Sequence, residues 1–189
     1  MKRKKPSISN IVILVLLVLM IIPQTRTPIQ VAINRIFAKF SPSVNAIDDR
    51  ANIANYDWML YDAEDQLINF TDNQGKVVLV NFWATWCPPC IAEMPELQQL
   101  YDDYGEQVTF LFVASDDKEA VATFLSERDY TIPVYYQGSQ APKEIATQSL
   151  PTTYLIDRSG NIVIDKKGAA NWNSDKVRKT IDELLLPGI

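Results

Sequence analysis

Cys87 and Cys90 constrain this chain more than any other feature, because the two cysteines of the sequence lie close together in the segment W-C-P-P-C. Upstream, residues 77–82 form a nearly unbroken apolar run rich in β-branched side chains, which predicts a buried strand. Downstream of Pro88, apolar residues recur every three or four positions, which predicts an amphipathic helix. The cysteines therefore lie at a strand-to-helix turn, with Cys87 just before the first helical turn and Cys90 within it.

This position favours redox chemistry at Cys87. The free N–H groups and the positive dipole at a helix start stabilise a thiolate, and the spacing lets Cys90 resolve a mixed disulfide formed at Cys87. Pro88 and Pro89 stiffen the turn, and the first helical turn tolerates proline. A static disulfide and half of a metal site are the alternatives. The chain has no further cysteine and no histidine, which argues against a zinc site, and so short a bridge would stabilise little.

The composition excludes several classes of function. The absence of histidine removes Ser–His and Cys–His catalysis and histidine metal sites. Residues 41–189 carry eleven Lys and Arg against twenty-three Asp and Glu, which argues against a nucleic-acid partner. With 47% hydrophobic residues, the chain has enough apolar side chains for an ordinary core. We expect no metal and no cofactor.

Residues 1–27 are predicted to form a basic cytoplasmic segment and a signal-anchor helix. A basic cluster, Lys2–Lys5, precedes twelve unbroken apolar residues, Ile11–Ile22. Twelve is short for a bilayer-spanning helix, which needs ~20 residues, and lies in the range of a secretory signal. No small-residue cleavage site follows closely, so we interpret a stretch from about Ile8 to Ile22 as a retained anchor rather than a removed signal peptide. The basic cluster then stays in the cytoplasm and the rest of the chain crosses the membrane.

Residues 28–54 are predicted to be an amphipathic stalk and linker. Residues 28–40 place a set of apolar side chains on one helical stripe: Ile29, Ile33, Ile36, Phe37 and Phe40. This helix lies on a membrane surface or, alternatively, continues the stalk or packs on the domain, and the sequence leaves these alternatives open. From Ser41 onward, apolar residues no longer recur at a regular spacing, which predicts a linker.

Residues 55–187 carry the pattern of a single α/β domain with a central mixed sheet between helices. Strands are predicted over Tyr56–Asp62, Gln66–Phe70, Val77–Phe82, Val108–Ala114, Ile132–Tyr136, Thr152–Ile156 and Asn161–Asp165. Helices are predicted from Pro88, from Asp116 to about Arg128, over Lys143–Thr147, and over Ser174–Leu186 with Ser174 as its cap.

The segment V-N-F-W-A-T-W-C-P-P-C-I-A-E-M-P resembles the membrane-anchored TlpA/ResA-like branch of the thioredoxin superfamily. Leu150 and Pro151, just before a predicted strand, are similar to the cis-proline loop that faces the cysteines in that superfamily. The resemblance covers roughly Tyr56 to Leu186 and implies a thioredoxin-like sandwich. It also implies that Cys87 is the nucleophile, Cys90 the resolving thiol, and Pro151 the cis-proline of a substrate groove. The residues expected to line that groove are Trp86, Pro88, Pro89, Leu150 and Pro151.

The same resemblance points to Glu93 as a residue that sets the thiol pKa values. Taken alone, a carboxylate one turn from Cys90 could relay its proton or raise its pKa, or could be an ordinary solvated side chain. Asn81 stands where classical thioredoxins have a buried aspartate, and it cannot exchange protons. A proton relay therefore requires Glu93 or water.

The function that the resemblance implies is reduction of protein disulfides. The chain would be a single-pass protein of a bacterial inner (plasma) membrane, with its domain on the periplasmic or extracytoplasmic side. Its partners would be disulfide-containing client proteins, as in cytochrome c maturation, and a membrane thiol reductant that recharges the dithiol.

Two alternatives belong to other classes of function. A thiol peroxidase would need a threonine three residues before Cys87, where this chain has Ala84. A non-catalytic module that binds a metal or a protein is the second, and the lack of histidine and of a methionine cluster argues against copper.

Overall fold

The computed structural model describes residues 8, 9, 14 and 23–187. The predicted anchor, Ile8–Ile22, therefore lies almost entirely outside the described residues. Within the described part of the chain, no helix combines the length and the hydropathy that crossing a bilayer requires.

Within residues 23–187, seven strands and four α-helices follow one another. In order they are α1 (Pro23–Phe37), β1 (Met59–Tyr61), β2 (Leu67–Asn69), β3 (Val78–Trp83), α2 (Pro88–Tyr104), β4 (Thr109–Ala114), α3 (Lys118–Ser126), β5 (Val134–Gln137), β6 (Thr152–Ile156), β7 (Ile162–Lys167) and α4 (Asp175–Leu185). Two short 3₁₀ turns cover Ile47–Asp49 and Phe70–Asn73. Asp117 caps α3 and Ser174 caps α4, each accepting a backbone N–H of the first turn.

All seven strands form one mixed sheet in the order β2-β1-β5-β4-β3-β6-β7. The central strands β3, β4 and β5 run parallel, while β6 and β1 pair antiparallel at either side of them. Every residue of β3 is buried, as expected for a strand covered on both faces. The α/β thioredoxin-like fold with a central mixed sheet, which the sequence predicted, is confirmed.

Successive side chains of β3 enter two different cores. Leu79 faces a cluster that includes the cysteines and the inner faces of α2, α3 and α4. Val78 and Val80 face a second cluster on the other side of the sheet, which is closed by loop residues such as Trp58 and Ile145. The site helix α2 is therefore held on one face of the sheet by an apolar core of its own.

Two local predictions were wrong. No helix forms over Lys143–Thr147, where the chain makes a single turn in which Ile145 N and Ala146 N both donate to Pro142 O. One turn forms too few hydrogen bonds to offset the free-energy cost of helix nucleation. Burial of Ile145 stabilises the turn instead. Strand β5 begins at Val134 rather than Ile132, because Pro133 has no N–H to donate to a ladder.

The segment 41–54, interpreted as a linker, runs beside the edge strand β7. Asn45 N donates to Val163 O at 2.8 Å, and Asn52 pairs with Asn161 as an isolated bridge. These bonds attach the segment 41–54, which connects α1 to β1, to the edge of the sheet.

Candidate functional site

The turn after β3 carries the cysteine pair. Cys87 occupies the N-cap position of the 17-residue helix α2, and its Sγ accepts a hydrogen bond from Cys90 N at 3.3 Å. Pro88 and Pro89 fill the first helical positions, where no N–H is needed. The two cysteines are joined by a disulfide with an S–S distance of 2.08 Å. The start of the helix therefore directs one backbone N–H, that of Cys90, toward the sulfur of Cys87.

The two sulfur-bearing residues differ in how far a partner can approach them. Cys90 is fully buried, whereas Cys87 retains 4% exposure beside Trp86, whose side chain is 65% exposed. Trp83, at the end of β3, is completely buried and belongs to the core. An approaching sulfur therefore meets Cys87 before Cys90.

Leu150 and Pro151 lie at the same edge of the sheet as the cysteine turn. Strand β6 pairs antiparallel with β3, and Thr152 lies opposite Phe82, so Pro151 sits beside the point where β3 ends. The Leu150–Pro151 peptide bond is cis, as the resemblance implied. Pro151 is buried, and Leu150 is half-buried against the core cluster that contains both cysteines.

Glu93 is buried rather than solvated, with 1% of its surface exposed. Its Oε1 accepts from Asn81 Nδ2 at 3.0 Å, and its Oε2 accepts from Ala170 N at 3.1 Å and from Trp172 Nε1 at 3.0 Å. Burial raises the pKa of Glu93 from 4.5 to about 8, against the opposing effect of these three donors. A carboxyl group one turn from Cys90 therefore titrates close to neutral pH.

Asn81 connects this carboxyl group to strand β6. Its Nδ2 donates both to Glu93 Oε1 and to Thr153 Oγ1, the latter at 2.7 Å, while its Oδ1 has no partner among the described residues. When Glu93 is protonated, its proton belongs on Oε1, since Oε2 already accepts two N–H groups. A 180° turn of the Asn81 amide would present Oδ1 to that proton and to the Thr153 hydroxyl. The Asn81 amide can thus reorient when Glu93 gains or loses its proton, although the amide itself does not titrate.

The sequence analysis missed the donors that reach Glu93 from the far end of the chain. Ala170 and Trp172 lie 77 and 79 residues after Glu93, and no local pattern links them to the cysteines. Gly168 follows β7 with φ +79°, a conformation that favours glycine, and its N donates to Pro151 O at 2.8 Å. This bend joins the Pro151 loop to the segment that binds Glu93.

A second contact missed by the sequence analysis holds the turn just before the cysteines. The hydroxyl of Thr85 donates to Asp116 Oδ2, and Thr85 N donates to the same oxygen at 3.3 Å. Asp116 follows β4, which runs parallel to β3. Its carboxylate therefore holds the turn that connects β3 to the cysteines.

We expect Thr85→Val to lower the free energy of unfolding by about 1–2 kcal/mol, because it removes the hydroxyl that donates to a carboxylate while keeping the side-chain volume. Thr85→Ser keeps the hydroxyl and should recover most of the loss. The midpoints of urea denaturation of the three oxidised proteins measure the effect. Equal midpoints for the valine and serine variants would show that this hydrogen bond stabilises nothing.

No group of three or more Cys, Asp or Glu side chains within the described residues is placed to hold a metal ion. What the arrangement provides chemically is a reactive pair of sulfur atoms, a helix start, and a buried carboxyl group.

Comparison with solved structures identifies the same fold in thiol-redox proteins. A candidate thiol:disulfide interchange protein DsbE from Chlorobium tepidum superposes with a TM-score of 0.61 at 25% identity, over 73% of this chain and 99% of that one. The thioredoxin domain of a thiol-disulfide oxidoreductase from Bacteroides vulgatus gives a TM-score of 0.58 at 20% identity, over 72% of this chain and 99% of that one. At that lower identity, the likeness shows the fold alone.

Comparison of sequences is more specific. The thiol-disulfide oxidoreductase ResA of Bacillus thuringiensis subsp. konkukian is 36% identical over 131 residues, which cover 68% of this chain and 72% of that protein. ResA of Oceanobacillus iheyensis is 39% identical over 111 residues, or 57% of this chain and 58% of that protein. The family model described as Redoxin matches residues 38–184. The chain therefore belongs to the redoxin family of the thioredoxin superfamily, and it is a TlpA/ResA-like thiol:disulfide oxidoreductase.

Proposed function

We propose that this oxidoreductase works as a membrane-anchored, extracytoplasmic reductase of protein disulfides, with Cys87 as its nucleophile and Cys90 as its resolving thiol. The observation that supports these roles is the placement of Cys87: it caps the start of α2, and its surface is the part of the pair that a partner can reach. The reductive direction is what the resemblance to the TlpA/ResA-like branch implies.

The proposed reaction transfers two electrons to the client in two exchanges. The Cys87 thiolate attacks one client sulfur and forms a mixed disulfide, and the other client sulfur leaves as a thiolate. Cys90 then loses its proton and attacks Cys87 Sγ, which closes the internal disulfide and releases the second client sulfur as a thiolate. Protons from the medium convert the client thiolates to thiols. A membrane thiol reductant returns the pair to the dithiol form.

We assign to Glu93 the role of accepting the proton that Cys90 loses. Proton exchange is efficient when donor and acceptor have similar pKa values, and a pKa of about 8 lies near the ordinary thiol value of ~8.5. Because the backbone N–H of Ala170 and the indole of Trp172 hold Oε2, the exchangeable proton sits on Oε1. In this proposal the ionised form of Glu93, which a pKa of about 8 makes the minor form at neutral pH, accepts the proton of Cys90 when the mixed disulfide is resolved.

The proposed binding surface for the client surrounds Cys87. It is formed by Trp86, Pro88, Pro89, Leu150 and Pro151. The exposed indole of Trp86 offers a flat apolar contact, and Leu150 and Pro151 lie beside the end of β3, next to the cysteine turn. Clients are proposed to be exported proteins whose cysteine pairs must stay reduced, including apocytochromes c.

The proposed location places the domain outside the inner (plasma) membrane, with Ile8–Ile22 as the single-pass anchor and Lys2–Lys5 in the cytoplasm. The apolar run and the basic cluster before it support this topology. In an oxidising compartment, cysteine pairs need a dedicated source of electrons, which agrees with a reductase tethered there.

The reduction potential tests the proposed direction. Equilibration of the full chain in glutathione buffers, followed by alkylation and mass spectrometry, gives the ratio of dithiol to disulfide. We expect a potential nearer to the ~−270 mV of thioredoxin than to the ~−120 mV of the oxidant DsbA. A value near the oxidant's would reverse the proposed direction while leaving the chain an oxidoreductase.

A further inference from the structure

Helix α1 has two faces with different surroundings. One face packs against α2, and Ala38 at its end is buried while Asn34 is half-buried. The other face carries Ile33 and Ile36, which are 48% and 62% exposed, and Phe40 just beyond the helix is 69% exposed. Counted at 100° per residue, Ile33 and Ile36 lie roughly opposite Asn34 and Ala38. The helix therefore presents an apolar stripe, defined as Ile33, Ile36 and Phe40, directly away from the domain.

One long-range hydrogen bond attaches the end of α1 to the domain. Asn171 N donates to Phe40 O at 2.9 Å, while Ala38 N continues the helical pattern by donating to Asn34 O at 2.7 Å. Asn171 immediately precedes Trp172, the donor to Glu93. The apolar stripe is thus linked to the segment that also binds the buried carboxyl group of α2.

We infer that α1 is an interfacial helix whose apolar stripe lies in the headgroup region of the membrane that the preceding segment enters. This inference rests on the anchoring part of the proposed function. The apolar run Ile11–Ile22 ends at the residue before α1 begins at Pro23, so an inserted run leaves α1 at the membrane surface. Ile33 lies about 15 Å along the helix axis from Pro23, so the whole stripe reaches the interface only when the helix lies flat.

The charges of α1 favour a lipid surface over a second copy of the chain. Arg26 lies seven residues, or two helical turns, before Ile33 and therefore on the face of the stripe, whereas Arg35 lines a groove on the domain side together with Glu96. No acidic residue precedes Asp48 in the sequence. Anionic headgroups would attract this basic helix, whereas a second copy would bring a helix of the same charge against it.

An interfacial α1 has a consequence for the reaction. Because α1 packs on α2, a flat α1 fixes the height and tilt of Cys87 above the bilayer. The site would then be presented to partners held at the same membrane, such as the reductant that recharges the dithiol, instead of sampling all directions on a flexible stalk.

Photolabelling of the full chain in vesicles tests the inference. The chain is reconstituted in mixed phosphatidylcholine and phosphatidylglycerol vesicles that contain a phospholipid with a diazirine near its headgroup, irradiated, and digested with trypsin. Residues 27–35, 36–39 and 40–50 are separate tryptic peptides, and each contains one residue of the stripe. We expect label in all three peptides, at least tenfold above the label in residues 51–76, which contain as an internal control Leu67, whose exposure of 57% lies within the range of the stripe residues.

A triple variant, Ile33→Ser with Ile36→Ser and Phe40→Ser, should lose the label in these peptides while it stays bound to the vesicles and reduces disulfides. Leu67→Ser is the matched control and should change neither result. Vesicle-bound chain without label in the three peptides overturns the inference and leaves the anchor intact. Chain that does not stay with the vesicles overturns the anchor and the inference together, whereas the disulfide-reduction assay reports on the chemistry separately. Cross-links between two copies through the stripe would overturn the inference in favour of a dimer.

Discussion

We expect Cys90→Ser to accumulate a covalent complex with a disulfide-bonded client and Cys87→Ser to form none. In the first variant, the exposed edge of Cys87 still attacks, because the backbone N–H of residue 90 at the start of α2 stabilises the Cys87 thiolate whatever the side chain at that position. The mixed disulfide then persists, since the sulfur that would displace the client is missing. Replacing that intramolecular step by an external thiol at millimolar concentration should slow release at least about a hundredfold. In the second variant, the remaining thiol of Cys90 is fully buried, and turnover should fall below detection.

Non-reducing gel electrophoresis and intact-protein mass spectrometry measure both results. The chain has two cysteines, so any client-linked species of Cys90→Ser must be attached at Cys87. The double variant, Cys87→Ser with Cys90→Ser, is the matched control for non-covalent association. Wild-type turnover by both single variants would contradict the assigned roles, and a stable complex formed only by Cys87→Ser would exchange them.

Much of the fold could be predicted because its signals are local. The buried strand, the turn and the amphipathic helix around Cys87 follow from apolar periodicity and from proline at a helix start. Ser174 was recognised as a cap because that requires only a short side-chain oxygen ahead of a periodic segment. Predictions that needed tertiary context were less accurate. The turn over Lys143–Thr147 has helix-forming residues, but burial of Ile145 and one turn of hydrogen bonds determine its form.

The environment of Glu93 shows why the candidate site was predicted only in part. The resemblance to the TlpA/ResA-like branch points to it as a candidate, yet from the residues alone it could equally be an ordinary solvated side chain of α2. Its burial depends on Trp172 and Ala170, which the chain delivers from beyond β7 through the bend at Gly168. No pattern in the sequence connects residues so far apart. A polar residue at a helical position next to a redox motif can therefore be located from sequence, but its protonation state requires the packing around it.

That protonation state leads to a prediction with a defined sign. Folding raises the pKa of Glu93 from 4.5 to about 8, so between these values the folded chain keeps a proton that the unfolded chain has lost. Its contribution to stability is therefore complete below about pH 4.5 and declines as the pH rises toward 8, by on the order of 5 kcal/mol in total. We expect Glu93→Gln to lack this decline. Its amide oxygen can accept from Ala170 N and Trp172 Nε1, and its NH₂ group can donate to the unpartnered Asn81 Oδ1 once that amide turns.

Urea denaturation of the oxidised proteins from pH 5 to pH 9 isolates this contribution, because other titrating groups cancel in the difference between wild type and Glu93→Gln. The free energy of unfolding of the wild type, relative to the variant, should fall steadily with rising pH and level off above pH 8. Glu96→Gln, the same chemical change one turn along α2, is the matched control and should follow the wild type. A difference that stays flat would mean that Glu93 is already ionised at pH 5 in the folded chain. Three hydrogen-bond donors would then outweigh the burial of the carboxylate, and the group would be too acidic to exchange a proton with Cys90 near neutral pH.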